Sequence, residues 1–136
     1  MSYQVIELDE LQLEDIERRL YEYDKKHIKY EMSGNIRIGV LDNDILIAGA
    51  DACMTAFKIL YVSTVFVDEQ YRNNKIGTLL MNEIEKRAKL LGANLIRLDT
   101  FDWQGRDFYR SLGYEEVGSY ENKIDGFSEY FFLKRL

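Results

Sequence analysis

The run from Ile59 to Phe101 constrains the fold of this chain more than any other. Ile59 to Val67 is rich in β-branched residues and long enough to cross a sheet. After a polar turn, Leu79, Leu80, Ile84, Ala88 and Leu91 follow Ile76 at helical spacing, and Gly92 is placed to end that helix. Glu83 with Arg87 and Glu85 with Lys89 have the four-residue spacing of favourable pairs on its wet side. Leu95 to Phe101 then reads as a second strand. A strand, helix, strand unit is right-handed almost without exception, and that rule makes its two strands parallel.

The junction inside this unit runs from Val65 to Leu80 through Asp68-Glu69-Gln70-Tyr71-Arg72-Asn73-Asn74-Lys75. A helix N-terminus leaves about four N–H groups unpaired and carries roughly half a positive charge. The turn therefore offers a seat for a phosphate or pyrophosphate without a metal, although an ordinary strand-to-helix connection has the same outline. Neither a Gly-x-Gly-x-x-Gly turn nor a Gly-x-x-x-x-Gly-Lys-[Ser/Thr] loop occurs, so the standard nucleotide fingerprints do not apply.

Around this unit the sequence predicts further elements. Leu13, Ile16, Leu20, Tyr23 and His27 lie on one face of a first helix from about Leu11 to Tyr30, with charge on the other face. Ile36, Ile38 and Val40 alternate with Arg37 and Gly39, Asp42-Asn43-Asp44 makes a turn, and an apolar stretch follows from Ile45 to Phe57, giving two antiparallel strands. A short helix from about Gly105 to Leu112 ends at Gly113, a weak strand lies near Val117 to Tyr120, and Phe127 to Leu136 is the last strand. The expected architecture is α/β: a mixed sheet, antiparallel at its start and end and parallel in the middle, with helices on both faces. No linker, repeat or low-complexity segment divides the chain, so a single domain over residues 1–136 is expected.

Composition narrows the function classes. A formal charge of −6, from 18 basic against 24 acidic residues, disfavours a phosphate-backbone binder, so nucleic acid is not an expected partner. An acidic surface attracts a cationic substrate such as an amine, but acidity also serves solubility. Cys53 is the only cysteine, which rules out an intrachain disulfide, and it reads as a buried structural thiol. The opening Met1-Ser2-Tyr3-Gln4-Val5-Ile6-Glu7 has no basic n-region and no long apolar run follows, so neither a signal peptide nor a membrane span is expected and the setting is read as reducing and cytoplasmic. His27 is the only histidine and no Cys or carboxylate cluster has ligand spacing, so no metal is expected. Tyr130, Phe131 and Phe132 suit either a homodimer contact or alternate burial in a last strand.

Two blocks carry chemistry: Arg72-Asn73-Asn74-Lys75-Ile76-Gly77, and about thirty residues later Asp102-Trp103-Gln104-Gly105-Arg106-Asp107-Phe108-Tyr109-Arg110-Ser111-Leu112-Gly113-Tyr114. Together they resemble the GNAT superfamily of acyl-CoA-dependent N-acetyltransferases. The family's pyrophosphate loop is [Gln/Arg]-x-x-Gly-x-[Gly/Ala]. Arg72 and Gly77 match it, and Lys75 replaces its first glycine. If that position needs left-handed geometry, a side chain there costs about 1 kcal/mol. Phe108 to Tyr114 matches the family's Phe/Leu-Tyr-x-x-x-Gly-[Phe/Tyr] signature throughout, while Asp102 stands where the family usually has an asparagine on the CoA arm.

The resemblance covers roughly Ile36 to Leu136 and implies an acetyltransferase using acetyl-CoA as cosubstrate. It implies that Val65, Phe66 and Val67 meet the pantetheine arm like an added strand, and that Arg72, Asn73, Asn74, Lys75, Ile76, Gly77 and Thr78 surround the pyrophosphate, with Asp102 nearby. The backbone at Phe66 is implied as a donor to the thioester oxygen, and Tyr109 as the acid that meets the leaving thiolate. The acceptor is a small-molecule or protein amine. With no nucleophilic cysteine apparent, direct attack in a ternary complex is expected. A non-catalytic acyl-CoA sensor or protein-interaction module on the same fold is the alternative.

A lysine-like amine of pKa near 10.4 must lose its proton, at a cost of roughly 4–5 kcal/mol at neutral pH. The base that helps is open between Asp51, Asp99 and a water chain. Trp103 and Gln104 are candidates for an acceptor pocket, with packing as the other role for Trp103. Arg106 and Arg110 face either CoA phosphates or solvent.

Overall fold

The structure is a computed structural model and describes residues 2–30 and 33–136. Helix α1 spans Glu10–Asp24, followed by strands β1 (Asn35–Asp42), β2 (Ile45–Met54) and β3 (Ile59–Val67), helix α2 (Ile76–Leu90), strand β4 (Leu95–Phe101), helix α3 (Arg106–Ser111), and strands β5 (Glu115–Asn122) and β6 (Phe127–Arg135). The six strands form one mixed sheet in the order β1-β2-β3-β4-β6-β5. Among the described residues its one parallel pair is β3–β4, the two strands joined by the helical crossover α2.

Local chemistry accounts for most boundaries. Asn43 and Asp44 take φ of 46° and 67°, the left-handed pair that a two-residue hairpin between β1 and β2 demands. β2 stops at Met54 and does not reach Phe57, because the Thr55 N–H and hydroxyl both donate to Ile59 O, at 2.8 and 3.0 Å, and close the turn. Gly92 ends α2 with φ of 92°, and Gly113 ends α3 with φ of 87°.

The core lies on one face of the sheet. Ile36, Ala50, Ala52, Leu60, Val62, Ile96, Leu98 and Phe132 point to that face and pack with Met81, Ile84 and Ala88 of α2 and Tyr109 of α3. Burial along β4 alternates accordingly, with Ile96, Leu98 and Thr100 buried and Arg97 and Asp99 exposed.

α1 departs from its expected course. It opens on a capping box between Asp9 and Gln12 but ends at Asp24, six residues short of Tyr30, in a turn whose Lys25 and His27 N–H groups bond Tyr21 O and Asp24 O. It contributes no buried residue. His27 is exposed and packs on Tyr23, ring centroids 5.2 Å apart. Helices were expected on both faces of the sheet, but α2 and α3 pack on one and, among the described residues, no helix is buried against the other, so Cys53, which points there, is half-buried where a buried thiol was expected.

Candidate active site

β3 and β4 pair only through Ile59–Leu95, Leu60–Ile96 and Tyr61–Arg97, then diverge. Beyond Tyr61 the edge of β3 loses its neighbour, and a cleft of about 830 Å³ opens between Val62–Val67 and Leu98–Thr100. This size suits a sizeable ligand. The C-terminal ends of parallel strands are also where α/β folds gather their ligands.

The cleft runs to the start of α2. A single 3₁₀ turn, Glu69–Tyr71, leads into it, fixed by the Tyr71 hydroxyl donating to Asp42 at 2.8 Å and by Asp68 N–H donating to Ile47 O at 2.8 Å. The Arg72 Nε donates to Val67 O at 3.0 Å, which pins the turn to the end of β3. Asn73 and Lys75 both take left-handed φ, 66° and 62°. Lys75 is the N-cap of α2 and gives no side-chain cap, and no acid stands in the first turn. Leu79 N–H is the first to reach back, to Lys75 O at 3.0 Å, so Ile76, Gly77 and Thr78 offer N–H groups without intrahelical partners beside the cleft. Such an end suits an anion.

α3 forms the opposite wall. Tyr109 is 8% exposed, packed on Tyr114, Phe132 and Phe108 at centroid distances of 5.7, 6.0 and 5.1 Å. Its hydroxyl makes no hydrogen bond among the described residues, and the side chain lines the cleft. Burial, and then the Asp99 charge, push its pKa up to about 12. Gly113 turns the chain so that Tyr114 N–H bonds Tyr109 O at 3.0 Å, bringing Tyr114 back onto Tyr109. This contact explains the spacing of the Phe108 to Tyr114 block.

Two carboxylates were candidate bases. Asp99 lines the cleft and accepts a hydrogen bond from the Tyr61 hydroxyl at 3.1 Å. Burial, and then that bond, raise the pKa of Tyr61. Asp51 lies outside the cleft, paired with Arg37 at 3.2 Å. Trp103 is 66% exposed at the cleft mouth and stacks on Phe101 at 4.6 Å. Gln104 closes the turn by accepting from Phe101 N–H at 2.8 Å. Arg106 and Arg110 hold Glu116 at 2.8 and 3.2 Å, and Arg106 stacks over Tyr130, so both are engaged away from the cleft.

The sequence profile of the Acetyltransferase (GNAT) domain matches residues 18–116. The chain belongs to the GNAT acetyltransferase family. An acetyltransferase from Bacillus cereus ATCC 14579 is 30% identical over 98% of both chains, and its crystal structure superposes with a TM-score of 0.90. The aminoglycoside 6′-N-acetyltransferase from Enterococcus faecium shares the fold at 22% identity, covering 95% of this chain and 94% of its own, with a TM-score of 0.64. So does a GNAT family acetyltransferase from Elizabethkingia anophelis with acetyl-CoA bound, at 13% identity over 90% and 85% of the two chains and a TM-score of 0.64. No protein of curated function matches the sequence closely.

Of the residues that the GNAT resemblance singled out, Val65, Phe66, Val67, Arg72, Asn73, Lys75, Ile76, Gly77, Thr78 and Tyr109 line the cleft. Asn74 and Asp102 do not. The Asn74 amide donates to Tyr71 O at 3.3 Å, inside the turn. Asp102 accepts from Ser128 N–H at 2.9 Å and so ties β4 to β6. Sequence reasoning missed Ser63, Thr64 and Thr100. Thr100 had a readable signal: a polar residue in phase with the apolar Ile96 and Leu98 of β4, it is 3% exposed and accepts from Gly105 N–H at 3.1 Å, fixing the start of α3.

Proposed function

We propose that this acetyltransferase moves the acetyl group of acetyl-CoA to a primary amine by direct attack in a ternary complex. The observation that carries the reading is the uncapped start of α2 at one end of the β3–β4 cleft, with the Tyr109 hydroxyl unengaged on its wall. Acetyl-CoA supplies the activated acyl group and an anionic pyrophosphate. The N–H groups of Ile76, Gly77 and Thr78, with Asn73 and the Arg72 and Lys75 side chains, fit that anion. The free edge of β3 at Val65, Phe66 and Val67 fits an amide-bearing arm as an added strand would. Asn74 and Asp102 act on the same site by shaping its loops.

The backbone at Phe66 is the proposed donor to the thioester oxygen, where preorganised N–H groups are worth several kcal/mol. Asp99 is the proposed base for the amine, directly or through water. The new N–C bond forms as the C–S bond breaks, and the amine proton leaves through Asp99. Tyr109 sits where the sulfur departs. With its pKa near 12, full transfer of its proton to a thiolate of pKa about 8.5 is uphill by roughly 5 kcal/mol. Tyr109 therefore acts as a hydrogen-bond donor to the developing thiolate, and the net proton that reaches sulfur comes from the amine.

The acceptor class is a small-molecule or protein amine drawn by the acidic chain, and the proposed setting is a reducing cytoplasm that keeps Cys53 free. The test is release of free CoA thiol from acetyl-CoA across a panel of polyamines, aminoglycosides and lysine peptides. Amine-dependent release that Asp99→Asn and Tyr109→Phe both lower supports the proposal. Release independent of amine would overturn it.

A further inference from the structure

Two surfaces of this chain have apolar content and no cover among the described residues. On α1, Leu13, Ile16, Leu20 and Tyr23 form one stripe and are each between 46% and 60% exposed. A lone helix of this length is marginal in water, and helices gain most of their stability by packing such a stripe. On the sheet, the face turned away from α2 and α3 carries Cys53, Tyr61, Phe101, Phe131 and Leu133, and none of them is buried.

We infer that α1 of one copy lies across the open sheet face of a second copy, and reciprocally, in a two-fold dimer whose exchanged helices wall the acceptor side of each cleft. The inference rests on the reading of the cleft given above.

Helix stripe and open face belong to the same chain, so one two-fold axis satisfies both at once and leaves no further surface to propagate. α1 is about 22 Å long and about 10 Å wide. Two such footprints, each removing helix and sheet surface from water, come to on the order of 1,000 Å², the lower range of a specific interface. The projecting helix is also not peculiar to this chain. Residues 2–30 are about a fifth of it, and the Bacillus cereus crystal structure could not reach a TM-score of 0.90 over 98% of both chains with that fifth placed elsewhere.

The same face borders the chemistry. Ser63 and Asp99 line the cleft and are exposed on the uncovered side of the sheet. An amine deprotonates more readily where water is excluded, and none of the described residues excludes it there. A helix laid over that side would do so. α1 carries six carboxylates against two arginines, a field that draws a cationic amine towards the opening.

Sedimentation velocity of the full chain should give about 32 kDa, twice the 16.1 kDa chain. Ile16→Glu with Leu20→Glu should give the monomer mass, keep acetyl-CoA affinity within about twofold and lower amine turnover at least tenfold. Cys53 is the only native cysteine, so Leu20→Cys treated with a short bismaleimide should yield covalent dimers on a denaturing gel, absent when Cys53→Ser is added. A monomeric wild type at 100 µM, a variant that stays dimeric, or a link confined to one chain would each overturn the exchange. Retained dimer mass and cross-link without acetyl-CoA binding would instead uphold the exchange and remove the reading of the cleft.

Discussion

Gly77 in the first turn of α2 and Phe108 in α3 lie so close that a β-carbon on residue 77 would sit 3.1 Å from Phe108 Cζ and 3.3 Å from Cε1. The two blocks proposed to carry the chemistry thus meet through a glycine and a ring. Phe108 is half-buried against the core and its ring lies 5.1 Å from that of Tyr109, so displacing it moves the residue proposed at the departing sulfur. Gly77→Ala should leave the unfolding midpoint nearly unchanged, because better helix propensity of about 1 kcal/mol offsets the tight contact. It should still lower turnover about tenfold. Thermal melts and steady-state kinetics on one preparation check both halves.

Lys75 holds a left-handed conformation at the N-cap of α2. A side chain there costs about 1 kcal/mol relative to glycine. Lys75→Gly should therefore raise stability by about 1 kcal/mol in urea unfolding, while Lys75→Ala should gain nothing. The glycine variant should also bind acetyl-CoA with a shallower salt dependence, since one cation near the phosphates is gone.

Tyr114 is 4% exposed and its hydroxyl has no hydrogen-bond partner among the described residues. Burial, and then the charge of Glu85, raise its pKa well above the usual tyrosine value. A stranded buried hydroxyl costs roughly 1–3 kcal/mol. Tyr114→Phe should keep the ring contact with Tyr109 and stabilise the protein by about 1 kcal/mol, read as a higher urea midpoint at unchanged slope.

Much of this was legible in the sequence. Ile59 to Phe101 gave the parallel pair and its helix because period and β-branching agree there, and Phe108 to Gly113 gave α3 because a glycine at its end must turn left-handed. The reach of α1 was not legible. The stripe from Leu13 to His27 reports that the helix is amphipathic, but a stripe does not say which surface receives it or whether that surface is in the same chain. The loop roles of Asn74 and Asp102 were hidden for a related reason, since a short polar side chain near a ligand loop serves the ligand or the loop with the same composition. Asp99 became separable from Asp51 only through the divergence of β3 and β4, a tertiary feature without a sequence mark.

Tyr109 should stay protonated across the working range, because burial and the Asp99 charge raise its pKa to about 12. Loss of its hydroxyl removes a donor and no titrating group. Tyr109→Phe should lower turnover on the order of 10²-fold by a constant factor from pH 7 to 10, with acetyl-CoA affinity nearly unchanged. A deficit that vanishes towards pH 10 would mean that the hydroxyl ionises there and would remove the assignment.

The most direct test of the central claim is calorimetric titration of the chain with acetyl-CoA, and separately with CoA, at low and moderate salt. The account predicts micromolar affinity for both that weakens as salt rises, as a pyrophosphate held by backbone N–H groups, Arg72 and Lys75 requires. No heat of binding at millimolar ligand, or an affinity indifferent to salt and to Lys75→Gly, would contradict it.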